Sequence, residues 1–548
     1  MSEVRDNLQE GEAGVRGEQP FPDQVRSTEA TRPDLHGLLT TSHSSSADIS
    51  PSPSAESGGL LSLPWEILIH IVSYLPVHFV VNVLPKVCHA LSNVGQDRTA
   101  WQLRAQRLVG SRAAFPVGPR EDFDWPGACL EMEQLITCWS GEVEHVARQN
   151  QEDEERREQA IPQDGEPGVG GQDDGEEGEM QHVLGGDQVA RLREELEDRL
   201  EGDAAALMEE EMDHRRVFNV NEGRDALLNH QEDLPDHRNL GNGQHVEARS
   251  PSPPPALECI TLPSGHIAHV NSVLLLGGEG KVCATASRDW NVKLWDLELG
   301  SLLHTMGRQG DFSSHRGWVW CLASQGPLLA SGGFDSTVRL WDLQAGGADR
   351  ALIRTRAAVL CLSCQPDMLL AGTFDKQVSM YDTRAAAPLV KSIRMHSNAV
   401  MCLCADDKYI ISGSKDCTVA VYDRRAGKGL KRLRLSSYLL SMSYSGCEVW
   451  AGDNGGMLHS FTMQAGTFKA VSQFDVGHTA LITGIHRSSG SLYTCSSDCT
   501  VKVHIPCAPP RTLSTLHYQA GVHGLSVEAG VLAVASGDVR VQIWRPRK

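Results

Sequence analysis

Aromatic residues are scarce in this 548-residue chain, at 5%. No uninterrupted apolar run reaches the roughly 20 residues that a membrane-spanning helix needs. The nearest approach, Trp65 to Leu84, is interrupted by Glu66, His70, His78 and Asn82 and broken by Pro76. Two short amphipathic helices are expected there, and no membrane contact. The opening MSEVRDNLQE lacks an apolar core, so no secretory signal is expected. Without one, the fifteen cysteines, an odd number set mostly in apolar runs such as Val359 to Cys364, read as reduced thiols. An intracellular protein, cytoplasmic or nuclear, is the expectation. Cys361 and Cys364 form a lone CxxC with no second pair at zinc spacing, so neither metal nor cofactor is expected.

Positive charge is also in deficit, with a formal net of -20, but only locally. Residues 141–213 hold 25 acidic and 6 basic residues, whereas residues 257–548 hold 22 acidic and 29 basic. A mildly basic folded part therefore stands beside an acidic segment. The length suggests three or four units at about 150 residues each. Residues 1–59 form a polar tail ending in Ser/Pro-rich sequence, too poor in apolar surface to offset ordering entropy.

Residues 60–110 read as a compact helical unit. Ser62 can cap its first helix and Pro64 suits a first turn. Ile67, Leu68, Ile71, Val72 and Leu75 then share one face, and Pro76 ends the run. A second short helix follows to Leu84. Pro85 opens a third with Val87, Leu91 and Val94, and Asp97 caps a fourth with Trp101, Leu103 and Leu108. Such a unit has a marginal core by itself. Residues 111–140 supply a helical extension starting at Pro126. Residues 141–256 are an acidic linker. Within it Val189, Leu192, Leu196 and Leu200 hold helical spacing over residues 188–212, which suits a solvated helix or a short coiled coil that would make a homodimer.

From residue 257 to 548 the chain repeats. Asp289 precedes Trp295 by six residues, and the same interval joins Asp335 to Trp341, Asp375 to Tyr381 and Asp416 to Tyr422. The pattern weakens where Gly455 stands for Asp and Phe461 for the aromatic. It returns at Asp498 with His504 and at Asp538 with Trp544. Repeats of about 40–45 residues with this signature mean propeller blades, and seven copies mean seven blades. His266, His315, His396 and His478 each lie four residues before an inner strand, with Thr355 at that place in the third blade. His266, Ser287 and Asp289 imitate a hydrolase triad. Their recurrence from blade to blade assigns them to a buried structural network, so no catalytic residue and no enzyme activity is expected. Residues 257–262 are expected to supply the outer strand that the seventh blade lacks.

LSLPWEILIHIVSYLP at 61–76, then KVCHALSNV and Trp101, resembles an F-box. An F-box followed by WD repeats is similar to the F-box/WD-repeat substrate receptors of Skp–cullin–F-box ubiquitin ligases. The expected class is thus α plus all-β multidomain, a small helical F-box followed by a seven-bladed WD-repeat β-propeller. The acidic insertion departs from the family pattern. The resemblance implies that Leu63, Pro64, Trp65, Ile67, Leu68, Leu75 and Pro76 dock a Skp-type adaptor, which joins a cullin–RING ligase core. It implies that the propeller rim binds a target protein through Arg288, Arg316, Trp318, Phe334, Arg356, Phe374 and Lys415. Arginines mixed with aromatics suit interface anchors, and the basic balance favours an acidic or phosphorylated target. Two alternatives stand beside this reading: a scaffold without ligase role, and a receptor for a different cullin ligase through YDTR (381–384) and YDRR (422–425). No nucleic-acid motif is present.

Overall fold

A computed structural model of the protein describes residues 60–118, 123–140, 257–263, 265–307, 314–464 and 466–547. The Ser/Pro-rich tail, the acidic linker and the helix expected at 188–212 lie outside the described residues. After a short 3-10 turn, Leu60–Ser62, come six helices: α1 (Trp65–Val72), α2 (Val77–Asn82), α3 (Leu84–Val87), α4 (His89–Gln96), α5 (Arg98–Val109) and α6 (Trp125–Trp139). No described helix is long and apolar enough to cross a membrane.

The local chemistry explains most of these boundaries. Pro64 and Pro76, not Ser62, occupy the cap positions of α1 and α2. A proline there forfeits no helical hydrogen bond, because the first amides of a helix have no partner within it. The helix expected from Pro85 divides at the extended Cys88 into α3 and α4. Asp97 caps α5, its carboxylate accepting the Thr99 amide at 2.7 Å. Asp124 caps α6 in the same way through Gly127.

One buried ion pair joins four helices. Arg104, on α5 and 2% exposed, donates to the Glu133 carboxylate on α6 at 2.6 Å and to the Val72 carbonyl of α1 at 2.8 Å. The other Glu133 oxygen accepts the Val77 amide at the start of α2, at 2.8 Å. Glu133 thus neutralises the guanidinium and satisfies an otherwise unpaired amide where the helix dipole favours negative charge. The helical extension is therefore a structural member of the small unit that precedes it.

Seven four-stranded antiparallel sheets follow, the blades of a β-propeller. Blade 1 spans residues 270–305, blade 2 319–354, blade 3 359–394, blade 4 400–434, blade 5 439–475 and blade 6 482–517. Blade 7 combines residues 522–546 with the strand Leu257–Thr261, which pairs with Val541–Pro546 along its whole length. That pairing closes the ring and covers an edge that would otherwise be open.

Six of the seven blades turn between their second and third strands on the repeated aspartate. The residue after it has left-handed backbone: Trp290, Ser336, Lys376, Cys417, Cys499 and Val539, at φ between 57° and 75°. Asp289, Asp335, Asp416, Asp498 and Asp538 accept the amide two residues on. An Asx turn of this kind holds the strained residue in place. In blade 5 the turn runs through Gly456, where a Cβ would come within 2.5 Å of the His478 carbonyl.

The buried network is present, with two corrections. His266 Nδ1 meets Asp289 at 2.8 Å, but Nε2 meets Thr285 Oγ1 at 2.7 Å, and Trp295 Nε1 donates to that same hydroxyl at 2.9 Å. Ser287 instead donates to the Ala268 carbonyl, so the hydrolase-like set is not assembled. In blade 2 His315, Asp335, Ser331 and Trp341 repeat the pattern. His396 with Asp416 and Ser412, and His478 with Asp498 and Thr494, repeat it in blades 4 and 6. In blade 5 the carboxylate has moved rather than vanished: Asp453, two residues before Gly455, holds His459 at 2.8 Å. Asp375 is held by Thr373 and Gln377. In blade 7 Trp544 donates to the Tyr518 hydroxyl at 3.3 Å.

Candidate functional site

In an antiparallel blade numbered outward from the axis, the first and third turns open on one face of the ring. The second turn and the connection to the next blade open on the other. The helical unit sits on the first of these faces. On α6, Glu131 accepts from the Gly490 amide at 2.8 Å, Ser489 at 3.2 Å, Ser491 at 2.7 Å and the Ser488 hydroxyl, all in the first turn of blade 6. A Cβ on Gly490 would lie 2.5 Å from the Ala128 carbonyl, so the backbones approach as closely as glycine alone permits. Trp139 packs on Tyr493 and Trp544. Ala114 pairs through its backbone with Ala508 in the third turn of blade 6, and Arg511 donates to the Leu108 carbonyl at 2.7 Å. Gly118 donates to Glu448 of blade 5 at 2.7 Å.

The helical unit also presents an uncovered apolar surface. Leu60, Leu61, Leu63, Trp65, Ile67, Phe79, Val83 and Val87 are all more than a third exposed. Of the residues expected to meet an adaptor, Leu63, Pro64, Trp65, Ile67 and Pro76 lie exposed, Ile67 at 47%. Leu68 is a correction: at 5% exposure it packs with Ile69 and Val72 in the helical core. Leu75 is partly buried against the same core. The apolar stripe of α1 thus supplies both faces, and which residue takes which is decided by the helices behind it. Phe79 and Val83 were missed because α2 is too short to show a period, and Val87, expected on one side with Leu91 and Val94, is exposed while those two are buried.

The seven rim residues all lie on the opposite face of the ring. Four come from second turns (Arg288, Phe334, Phe374, Lys415) and three from connections between blades (Arg316, Trp318, Arg356). Three are brought into contact: the Arg288 guanidinium lies over the Trp318 ring at 4.7 Å, and Trp318 meets Phe334 edge-on at 5.7 Å. Trp320, unforeseen because it stands within the inner strand, also meets Phe334 edge-on, at 5.2 Å. Arg288 Nε also donates to Asn271 Oδ1 at 3.2 Å. These groups, with Lys415 and Tyr438, line the axial cavity of about 390 Å³, whose deeper wall is apolar, including Leu360, Leu403 and Leu440. Burial pushes His523, also on this wall, down to about 4, with the positive Arg288 and His269 adding to the effect. His523 is therefore neutral at physiological pH, and Arg288 and Lys415 supply the positive charge here. Arg316, Arg356 and Phe374 stand apart from the cavity, with the last 41% exposed.

The arginines of the YDTR and YDRR sequences lie on the face that carries the helical unit. Arg384 is engaged by its own neighbour Asp382 through two hydrogen bonds, at 3.0 and 3.3 Å. In the second sequence Arg424 binds Asp367 at 2.6 Å, while Arg425, at the place of Arg384, is exposed.

Family comparison agrees with this architecture. The WD domain, G-beta repeat model matches residues 257–296, 306–342, 387–423 and 468–504. The chain is 39% identical over 502 residues to F-box/WD repeat-containing protein 9 of Bos taurus, covering 90% of this chain and 84% of that protein. It is 36% identical over 493 residues to the protein of the same name from Homo sapiens, covering 89% and 82%. The chain belongs to the F-box/WD repeat-containing protein 9 family. Among solved structures, "Structure of U3-55K" aligns at 16% identity and a TM-score of 0.48, covering 53% of this chain and 98% of that one.

Proposed function

We propose that the chain is the target-recognition subunit of a Skp–cullin–F-box ubiquitin ligase, performing no chemistry itself. The exposed apolar surface of α1 to α3 docks the Skp-type adaptor, which joins the cullin–RING core. The rim around Arg288, Trp318 and Phe334 holds an acidic or phosphorylated target and so raises the concentration of its lysines near the ubiquitin-charged enzyme. The free thiols suit an intracellular compartment.

The observation that carries this reading is the set of exposed apolar side chains between Leu60 and Val87, in a unit that meets the propeller through α6 and residues 108–118. An uncovered apolar patch of this kind marks a protein interface. Its position, on the opposite face of the ring from the aromatic rim, leaves both surfaces accessible together.

The test is capture of the purified full chain by the Skp-type adaptor and its cullin. Trp65→Asp with Ile67→Asp places charge on two exposed positions, so the unfolding midpoint should hold while capture falls at least about tenfold, a loss of about 1.4 kcal/mol. Arg288→Ala with Phe334→Ala, on the opposite face, should leave adaptor capture unchanged. Equal capture of parent and Trp65/Ile67 variant would overturn the reading in favour of a scaffold.

A further inference from the structure

Between the outer strands of blades 3 and 4 lies a second cavity, of about 350 Å³, on the side wall of the ring. Ile393 and Met395, which pack in the blade 3–blade 4 core, give its lining an apolar part, and Arg394, Lys431 and Arg432 line it as well. Lys391 closes one end, its ammonium donating to the Tyr422 hydroxyl at 2.7 Å. Leu389 and Val390 are exposed beside it, at 54% and 60%. The two strands, Leu389–Arg394 and Lys428–Arg434, contain six basic residues and no acidic one. Strands Ser301–Thr305 and Leu257–Thr261, at the corresponding places of blades 1 and 7, contain no basic residue. The outer strand of blade 2, Ala348–Arg354, has two arginines and one aspartate, and those of blades 5 and 6 have one basic residue each, so the charge is densest on blades 3 and 4.

The complementary surface is in the same chain. Residues 141–213 carry 25 of the 70 acidic residues, and within them Val189, Leu192, Leu196 and Leu200 hold helical spacing among Glu194, Glu195, Glu197 and Glu201. Arg191, Arg193 and Arg199 stand among them, but residues 188–212 hold nine acidic and three basic residues, so an apolar stripe with a net acidic edge matches a partly apolar lining edged with arginine and lysine. Reach is sufficient: a flexible chain of about 50 residues spans about 40 Å root-mean-square, against a radius of gyration of about 19 Å for a domain of the propeller's length. The segment also leaves and rejoins the fold at neighbouring points. Trp139 packs on Trp544, which lies opposite Cys259 in the closing strand pair. The 141–256 insertion is thus not stretched between distant anchors.

We propose that the blade 3–blade 4 groove is an intramolecular docking site for the acidic segment, centred on residues 188–212. Docking there leaves the aromatic rim and the adaptor surface uncovered, and positions the segment on the outer wall.

Lysine acetylation of the full chain, read by mass spectrometry, tests this directly. Lys431 on the groove and Lys428 at the start of the same strand report on docking, and Lys469 on the outer strand of blade 5 is the control. At about 0.01 M salt the two reporting lysines should react about threefold slower than in a variant carrying Glu194→Gln, Glu195→Gln, Glu197→Gln and Glu201→Gln. The difference should vanish near 1 M salt, where the screening length falls from about 30 to about 3 Å. Leu192→Ser with Leu196→Ser should weaken protection without changing charge. Lys469 should react alike throughout. Equal rates for parent and glutamine variant at low salt would overturn the proposal. Protection that grows with protein concentration would also overturn it, by putting the segment of a second copy on the groove.

Discussion

Blades 1, 2, 4 and 6 each carry a histidine ahead of the inner strand and a hydroxyl four residues before the turn aspartate: Thr285, Ser331, Ser412 and Thr494. Blades 3, 5 and 7 carry neither. The hydroxyl position holds Ala371, Ala451 and Val534, and the histidine position of blades 3 and 7 holds Thr355 and Tyr518. The two groups are retained together or lost together, although they are 16 to 19 residues apart in the chain. In blade 4 Ser412 meets His396 and the Ala420 carbonyl. In blades 1, 2 and 6 the hydroxyl is buried between two ring nitrogens, as Ser331 is between His315 and Trp341, at 2.7 and 2.9 Å. Removing it strands both nitrogens in an apolar interior, while removing the whole set leaves nothing unsatisfied. A histidine without its hydroxyl is worse than neither, which is why these two are kept or lost together even though the aromatic varies, with Tyr422 in blade 4 and Trp544 retained in blade 7.

The sharpest way to break this comparison is to make an intermediate. Ser331→Ala leaves His315 Nε2 and Trp341 Nε1 without their shared partner, in a site that is 0% exposed at Ser331. The expected loss is about 3 kcal/mol, from about 1–3 for each buried group left unpaired. Calorimetric unfolding of the full chain would show it. A loss no larger than that of an exposed serine would mean that the network does not hold the blade.

A second variant should cost less while changing more. His315→Thr, Ser331→Ala and Trp341→Tyr together convert blade 2 to the residues that blade 3 carries at those positions. Asp335 keeps the Arg316 and Thr337 amides and the Thr337 hydroxyl. The triple variant should therefore lie about 1–2 kcal/mol above the single one in stability. A triple variant less stable than Ser331→Ala would show that packing of the tryptophan, not hydrogen-bond satisfaction, separates the two kinds of blade.

This division was partly legible before any coordinates. The Asp-to-aromatic interval is local, so it survives in six of seven blades, and it carried the blade count and the ring closure. The identity of the hydroxyl did not show, since Thr285 and Ser287 are two apart on one strand and share a face. Asp453 was invisible because it serves its turn from two residues upstream. In the helical unit, Asp97 announced its cap through its immediate neighbours. Glu131 could not, since its partners at Ser488 to Ser491 stand some 357 residues away and no periodicity links them. Leu68 and Ile67 are adjacent in sequence, and their opposite burial is settled by helices packed behind α1.

Blade 6 offers the smallest and most discriminating test, because it has the histidine network but His504 in place of the tryptophan. Thr494 Oγ1 there lies 2.8 Å from His478 and 3.0 Å from His504. Burial pushes the His504 imidazole from its ordinary 6.5 down to about 3, with the neighbouring His478 and Lys502 adding to it. Burial also lowers His478, although Asp498 opposes the shift. Both folded values lie below the unfolded one, so the unfolded chain binds more protons as the pH falls below 6.5. The stability these neutral rings contribute is complete above pH 6.5 and declines as the pH falls toward the folded values. Between pH 7 and pH 5 the unfolding midpoint should therefore drop. His504→Trp supplies the group that Trp341 supplies to Ser331, and it removes one of the two titrating rings. Its midpoint at pH 7 can move either way, because the larger ring must fit, but its decline toward pH 5 should be shallower than that of the parent. Parallel declines would assign the pH dependence to the other histidines and mean that His504 binds its proton equally in the folded and unfolded chain.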